Sequence, residues 1–195
     1  MQFTANILCH FKNRQSASRR TLGHNMTIMK YKDIDPTLGD NVWVAENAMV
    51  VGDIEIGADS SIWFGVQMRG DVHEIRIGQR TNIQDNAVVH VTRGISGTYI
   101  GDDVTIGHSA IIHACTIKNR SLIGMGAIIL DEAVVEVGAM VAAGAVVPPR
   151  KIIPAGQLWG GNPARYMRDL SEAEKVFLPQ SAENYVKLAS EYKNS

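Results

Sequence analysis

The sequence predicts an all-β solenoid, in which short strands wind as stacked coils around an apolar interior. Two observations predict it: an aliphatic residue returns at every sixth position along most of the chain, and aromatic residues make up only 6% of the 195 residues. An α-helix turns about every 3.6 residues and a flat strand alternates about every two, so neither produces a six-residue period. A solenoid does, because each short strand and its corner form one unit.

The aliphatic period falls into four blocks separated by three phase breaks. Its members are Leu38, Val44, Val50, Ile56, Ile62 and Met68; Ile77, Ile83 and Val89; Ile100, Ile106 and Ile112; and Ile117, Ile123, Ile129, Val135, Val141, Val147 and Ile153. With three units to a coil and strands about 4.8 Å apart, these positions predict roughly six coils in a prism on the order of 30 Å tall. The polar residues of interest lie beside the breaks, so we expect the chemistry there.

Glycine supports this interpretation, because it directly follows six of the periodic residues. These glycines are Gly39, Gly57, Gly78, Gly101, Gly107 and Gly124. Glycine tolerates corner dihedrals that other residues resist. The columns of isoleucine and valine suit the interior, where side chains with few χ1 rotamers pack on the pleat.

The chain's totals exclude several classes of function. A net charge of −1 offers no electrostatic basis for binding nucleic acid or an anionic membrane. No apolar run approaches 18 residues, so we expect no transmembrane helix. Cys9 and Cys115 have no paired spacing, which indicates a reducing compartment, and we expect a cytoplasmic protein without disulfides.

Residues 1–25 form a basic N-terminal extension that lacks the period. Its only charged residues are Lys12, Arg14, Arg19 and Arg20. Such a segment is either an upstream extension, disordered or non-native, with Met26 or Met29 as the natural start, or an organellar transit peptide, since those are rich in arginine and serine and poor in acids.

The solenoid domain is expected over residues 26–155, where Pro148, Pro149 and Pro154 end the repeat because proline cannot donate to a ladder. Residues 156–195 are expected to form a linker and helices that pack on the solenoid.

In that C-terminal region, Ser171 and Glu174 have the spacing of a capping box that opens a helix. Pro179 is expected to interrupt this helix, and a second one is expected from about Gln180 to Lys193. One face of the second carries residues spaced by three and four, which we expect to pack on the solenoid wall: Tyr185, Leu188, Ala189 and Tyr192.

Two histidines occupy the same position within a six-residue unit. His90 directly follows Val89, and His113 directly follows Ile112. If residues 91–99 bulge out as a loop, three further units bring Ile112 back above Val89. The two histidines would then stack one coil apart, about 4.8 Å between backbones, which suits two imidazoles that share a metal.

His108 follows Ile106 by two residues and lies on another face of the prism. A neighbouring subunit of a cyclic trimer could bring His108 to the His90 and His113 of the next chain. Three histidines without a fourth protein ligand are typical of an open, catalytic zinc site. The alternative, that all three are corner histidines at the surface, stays open.

Polar residues accompany the histidines at the first break and before His90. Arg69 could pair with Asp71 or Asp85, within a chain or across an interface. Gln84 could orient a bound water or hold a substrate oxygen, because an amide both donates and accepts, and Asn82 could position Gln84.

The chain resembles the γ-class carbonic anhydrase family, and within it the short bacterial branch, over about residues 30–192. The resemblance lies in Arg69-Gly70-Asp71, Asn82-Ile83-Gln84-Asp85-Asn86, His90, Gly107-His108 and His113. It implies a left-handed parallel β-helix of hexapeptide repeats with a C-terminal α-helix, in a homotrimer that holds Zn²⁺, with Fe²⁺ or Co²⁺ possible, at its subunit interfaces.

The resemblance also implies roles for individual residues. His90 and His113 of one subunit and His108 of its neighbour would bind the metal. Gln84 and Asn82 would serve the bound water and the substrate CO2 or bicarbonate. A second set, Arg69, Asp71 and Asp85, would form interface ion pairs, and Arg69 and Asn184, which aligns loosely with an active-site asparagine, are also candidate catalytic residues.

Two departures from the family pattern predict weak activity. Val72 stands where the family's archetype has an acid after its Arg-x-Asp, and the loop of residues 91–99 lacks the archetype's glutamate. Those acids pass a proton to solvent, so His73, Glu74 or buffer would have to replace them.

The resulting hypothesis is a lyase that reversibly hydrates CO2 to bicarbonate with a zinc-bound hydroxide. One alternative is a hexapeptide-repeat acyltransferase, because Gly161-Asn162-Pro163-Ala164-Arg165 resembles the ending of such enzymes. Others are a metal-stabilised trimeric scaffold without hydrase activity and an esterase or thioesterase that uses the same nucleophile.

Overall fold

The chain forms a parallel β-solenoid of about seven turns with one C-terminal helix, which confirms the predicted fold class. The computed structural model describes residues 27–195, so the predicted basic extension over residues 1–25 lies outside the described residues. Each turn contributes short strands to three flat faces, and strands of successive turns pair in parallel.

The strands of each face stack in one column. Face 1 contains β1 (Ile28–Met29), the first halves of β4 (Met49–Ile56) and β6 (Gln67–Ile77), β8 (Val88–His90), β11 (Ile111–His113), β14 (Ile128–Ile129) and β17 (Val146–Val147). Face 2 contains β2 (Thr37–Leu38), the second halves of β4 and β6, β9 (Thr98–Ile100), β12 (Thr116–Ile117), β15 (Val134–Val135) and β18 (Ile152–Ile153). Face 3 contains β3 (Trp43–Val44), β5 (Ser61–Ile62), β7 (Asn82–Ile83), β10 (Thr105–Ile106), β13 (Leu122–Ile123), β16 (Met140–Val141) and β19 (Gln157–Gly160), which an antiparallel strand, β20 (Arg165–Asp169), follows.

The predicted periodic residues are the core. From Val50 to Ile153 all of them are at most 5% exposed. Equivalent positions of successive coils pair with one another, so these side chains stack in columns. Leu38 and Val44, in the first coils, are only partly buried. Burial of these apolar side chains is the main favourable contribution to folding.

The repeat extends beyond the predicted boundary at residue 155. Trp159 of β19 pairs with Val141 and so continues the column of face 3. Ile28 lies inside the predicted domain but before the first periodic residue, Leu38, and pairs with Val50. The expectation that prolines end the repeat was wrong. Pro148 and Pro149 lie in the corner between β17 and β18, and Pro154 lies between β18 and β19, so none of them has to donate to a ladder. These additions raise the predicted six coils to about seven.

The second phase break is a loop, as predicted, although it is shorter. The backbone N–H of Thr92 donates to the carbonyl of Ser96 over 3.1 Å, which closes the loop on itself. Thr98 and Tyr99, predicted to belong to the loop, instead lie in β9 and pair with Ile75 and Arg76 of β6.

A single helix, α1 (Glu172–Lys193), closes the chain. The capping box is present: Ser171 Oγ accepts from the N–H of Glu174, and the Glu174 carboxylate accepts from the N–H of Ser171. The predicted interruption at Pro179 was wrong. Proline removes one hydrogen bond from a helix, but Leu178 and Ala182 on either side of it are buried and hold both halves against the solenoid.

The aromatic residues of α1 pack on face 3. The ring of Tyr185 lies 5.3 Å from that of Trp63, and the ring of Tyr192 lies 5.3 Å from that of Trp43. Leu188, predicted on the same face, is 37% exposed. In the part of the chain that the structure describes, no helix is both long and apolar enough to cross a membrane.

Candidate metal centre

His90 and His113 stack one coil apart at the end of face 1, as predicted. Their residues pair directly in the ladder between β8 and β11, next to the pair of Val89 and Ile112. His90 Nδ1 lies 3.2 Å from His113 Nε2. One ring nitrogen of each imidazole therefore faces the other, and the second nitrogen of each points away.

A carboxylate contacts each of the outward nitrogens. His90 Nε2 lies 3.2 Å from Asp71 Oδ1, and His113 Nδ1 lies 2.8 Å from Asp131 Oδ1. Metal-binding histidines usually donate their second ring N–H to such a partner, which fixes the tautomer and the ring orientation. We call His90, His113, Asp71 and Asp131 the histidine-pair corner.

Further contacts hold the two carboxylates. Arg69 donates to Asp71 Oδ2, and the hydroxyl of Thr92 donates to Asp131 Oδ2 over 2.5 Å. Burial alone would raise the pKa of Asp71, but the hydrogen bonds from Arg69 and His90 and the charge of Arg69 bring it below its usual value. Asp71 is therefore ionised at neutral pH.

Burial and hydrogen bonds also oppose each other at Asp131 and His90. Hydrogen bonds prevail at Asp131, whereas burial prevails at His90. Burial raises the pKa of Asp131, yet hydrogen bonds from Thr92 and His113 bring it below its ordinary value. Burial lowers the pKa of His90, and the nearby Arg69 charge adds to this, against the hydrogen bond to Asp71. A neutral imidazole is the form that binds a metal.

His108 lies at a different corner, between faces 3 and 1. It follows β10 and stacks over Asp85, which follows β7, with His108 Nδ1 2.7 Å from Asp85 Oδ2. Each of the three histidines thus has a carboxylate behind it. For His108 this leaves Nε2 directed away from Asp85.

Gln84 and Asn82 belong to the same corner as His108. Gln84 Nε2 donates to Asn82 Oδ1 over 3.1 Å, so the predicted contact between them is present. They are 5% and 1% exposed, because α1 covers face 3 here. We call His108, Asp85, Gln84 and Asn82 the His108 corner.

The two corners lie at opposite ends of face 1. Asp85 lies in the turn that precedes β8, and His90 is the last residue of that strand. Accordingly, within residues 27–195 no three histidine, cysteine or carboxylate side chains converge on a position for a metal ion. One chain alone brings together His90 and His113 and leaves His108 apart.

The histidine pair nevertheless fits a metal. Tetrahedral zinc binds histidine nitrogens at about 2.0–2.1 Å, which places two such nitrogens about 3.3 Å apart. The separation of His90 Nδ1 and His113 Nε2 is 3.2 Å. Two nitrogens at that spacing, each with a carboxylate behind its ring, could supply two of the ligands of a metal ion.

The remaining predicted residues are placed less directly. Arg69 pairs with Asp71 within the chain, and its side chain is 55% exposed. Asn184 is exposed on α1. Burial raises the pKa of its neighbour Tyr185, and the negative charge of Asp85 raises it further, so this turn of α1 lies near the His108 corner.

Sequence reasoning missed Asp131 and Thr92. A signal existed for Asp131, which lies 18 residues after His113 and therefore one coil above it. Thr92 has no comparable signal, because its hydroxyl meets Asp131 only through the closure of the loop, across 39 positions of sequence.

Comparisons with known proteins identify the family of the chain. The family model described as bacterial transferase hexapeptide (six repeats) matches residues 35–70. A probable carbonic anhydrase of Methanocaldococcus jannaschii is 44% identical over 152 residues, which cover 78% of this chain and 95% of that protein. The chain belongs to the γ-class carbonic anhydrase family. Its solenoid matches the left-handed β-helix of hexapeptide repeats.

The chain is also similar to a plant protein and to a solved bacterial structure. The mitochondrial γ carbonic anhydrase 2 of Arabidopsis thaliana is 51% identical over 173 residues, which cover 86% of this chain but only 62% of that protein. A solved structure described as a putative acetyltransferase from Bacillus cereus has a TM-score of 0.85 and 37% identity, covering 88% of this chain and 99% of that one.

Proposed function

We propose that the protein reversibly hydrates CO2 to bicarbonate at sites formed between the subunits of a homotrimer. Each site would combine the histidine-pair corner of one chain with the His108 corner of its neighbour. The observation that carries the proposal is the pair of ring nitrogens of His90 and His113, 3.2 Å apart, with Asp71 and Asp131 behind them.

The metal that this donor set suits is zinc, although Fe²⁺ or Co²⁺ also accept imidazole nitrogens. Zinc held by three histidines lowers the pKa of a coordinated water to about 7 and so makes hydroxide available near neutral pH. His90 and His113 would hold it from one side and His108 from the other, while Asp71, Asp131 and Asp85 keep the three imidazoles oriented.

Gln84 would orient the nucleophile. Its Nε2 is already bonded to Asn82, so its Oε1 is the end available to other partners. A carbonyl oxygen accepts a hydrogen bond from water or hydroxide and thereby directs an oxygen lone pair towards CO2. Arg69 keeps Asp71 ionised and through it holds His90.

Proton release is expected to limit turnover. Glu74, one of the sequence-based candidates to carry the proton, accepts hydrogen bonds from the Tyr99 hydroxyl over 2.8 Å and from Arg76 over 3.0 Å, so both of its oxygens are occupied. We therefore expect exogenous buffer to carry most of the proton flux.

We further propose a cytoplasmic location, since Cys115 is a buried free thiol.

The test is stopped-flow CO2 hydration by the purified trimer with its zinc content measured, at several buffer concentrations, beside His113→Ala. Turnover that rises with buffer and disappears in the variant supports the proposal. Full zinc occupancy with no rate above background overturns it. Trimers that dissociate on chelation without ever hydrating CO2 would indicate the metal-stabilised scaffold instead.

Acyl transfer is a second candidate, favoured by the solved structure described as a putative acetyltransferase. It predicts that acetyl-CoA binds the trimer in a titration and that zinc removal does not weaken this binding. Absence of binding would exclude it. An esterase that uses the same metal would instead hydrolyse an activated ester only when zinc is present.

A further inference from the structure

A buried row of four polar side chains runs from α1 to Gln84. Ser181 Oγ of α1 lies 3.0 Å from Thr105 Oγ1, Asn82 Nδ2 donates to Thr105 Oγ1 over 3.1 Å, and Gln84 Nε2 donates to Asn82 Oδ1 over 3.1 Å. Ser181, the most exposed of the four, is only 7% exposed. Each member therefore depends on the others for hydrogen bonds, because water does not reach it freely.

The direction of the two amide bonds in this row is determined. Asn82 Nδ2 also lies 3.3 Å from the carbonyl of Val104, which can only accept. The Asn82 amide is therefore oriented with its oxygen towards Gln84, and Gln84 must turn its NH2 group to Asn82. Thr105 Oγ1 accepts from Asn82, and either hydroxyl can donate in the contact between Thr105 and Ser181.

We infer that Ser181 and Thr105 are positioning residues that hold the Gln84 amide with its oxygen free to face the metal corner. The inference rests on the proposed function and extends it to α1. Thr105 Oγ1 and the Val104 carbonyl together accept from the NH2 group of Asn82. Without the Thr105 hydroxyl, or without the Ser181 hydroxyl that holds it, Val104 alone holds this group, and the Asn82 amide and the Gln84 amide bonded to it lose their fixed orientation.

A loosened Gln84 amide would no longer hold Oε1 in one place at the His108 corner. Gln84 would then lose its hold on the nucleophilic water. The helix α1, which contributes Ser181 to this row, thus orients a group of the site as well as covering face 3.

The experiment compares Ser181→Ala, Thr105→Val and Thr105→Ser with the wild type. The matched control is Ser121→Ala, which removes another buried hydroxyl beside face 3, one that donates to the Glu136 carbonyl over 2.9 Å and lies outside the row. We expect Ser181→Ala and Thr105→Val to lower kcat/KM about five- to thirtyfold. Thr105→Ser and Ser121→Ala should remain close to the wild type, and the buffer dependence of kcat should be unchanged in all four.

A second readout does not require turnover. The side-chain amide signals of Gln84, assigned through Gln84→Glu in nitrogen-15 NMR spectra, should shift in Ser181→Ala and Thr105→Val but not in Ser121→Ala. Unchanged Gln84 signals in both variants would overturn the inference. Shifted signals in a protein that never hydrates CO2 would support the row while overturning the proposed reaction, so the two failures are distinguishable.

Discussion

His90 and His113 lie side by side at one corner of successive coils, with His90 Nδ1 3.2 Å from His113 Nε2, although 23 residues separate them in sequence. A regular coil of three hexapeptides holds 18 residues. The loop closed by Thr92 and Ser96 takes up the additional residues without shifting the ladder, so that Val89 still pairs with Ile112. Two imidazoles are thus held at a spacing that suits one metal.

The first prediction concerns the interface. His108→Ala alone and the double variant His90→Ala/His113→Ala should each be inactive, because each removes one half of every site. Unfolded together and refolded as mixed trimers, they should regain activity, because a chain that keeps His108 then meets one that keeps His90 and His113. Random mixing in a cyclic trimer predicts about a quarter of the wild-type rate.

The control for this experiment refolds each variant alone. Zinc content should follow activity, with bound metal only in the mixture. A mixture that stays inactive while chromatography shows mixed trimers would contradict an intersubunit site.

The second prediction concerns Asp131. Asp131→Ala should weaken zinc binding about 10- to 100-fold, because His113 loses the carboxylate that orients its ring. Asp131→Asn should weaken zinc binding less than Asp131→Ala does, since the amide oxygen of asparagine can still accept from His113 Nδ1. Thr92→Val should weaken binding only slightly, because it removes a single hydrogen bond to Asp131.

Zinc affinity is measured by competition with a chromophoric chelator, which requires no turnover. Glu132→Gln is the matched control, because it neutralises the next residue, whose carboxylate faces Arg150 at 3.6 Å and not His113. Equal affinities for Asp131→Ala and Glu132→Gln would show that Asp131 has no positioning role.

The third prediction concerns the glycine column at the corners. A Cβ at Gly78 would lie 2.6 Å from the backbone carbon of Gly101, so Gly78→Ala must push two hydrogen-bonded coils apart. We expect Gly78→Ala to lower the free energy of unfolding by about 1–3 kcal/mol, the usual cost of overpacking. A Cβ added at Gly94, in the loop, would have no atom within 4 Å. Gly94 has a φ of +65°, however, which strains any other residue, so Gly94→Ala should lower the free energy of unfolding by about 1 kcal/mol. Urea unfolding at one protein concentration compares them, and a Gly94 variant less stable than the Gly78 variant would refute the argument.

The fourth prediction concerns acid. Hydrogen bonds from Arg168 and from Ser171 lower the pKa of Glu174 from its ordinary 4.5 to about 2. A carboxyl whose pKa is lower in the folded state stabilises that state above its unfolded pKa and loses this contribution as pH falls through the folded value. The wild type should therefore exceed Glu174→Gln in stability at neutral pH, and the difference should shrink steadily below about pH 4.5. Far-UV circular dichroism in urea measures it, and a difference independent of pH would exclude an electrostatic origin.

Local pattern predicted much of this molecule. The six-residue period located nearly every core position, and counting units placed His113 over His90, because a ladder of fixed geometry converts sequence spacing into spatial register. The same counting placed His108 on another corner. Pro179 was misjudged, because the cost of one missing hydrogen bond is visible in sequence while the burial of Leu178 and Ala182 that offsets it is not.

The repeat alone therefore determines the solenoid, its apolar columns and the corner on which each histidine lies, since all of these follow from periodicity. Only the tertiary structure decides the partners of those histidines. Asp131 reaches His113 from the next coil with the help of a loop residue, and Ser181 reaches Thr105 from a helix 76 positions away. Such contacts depend on how side chains of separate elements meet in space, and no period along the chain encodes that meeting.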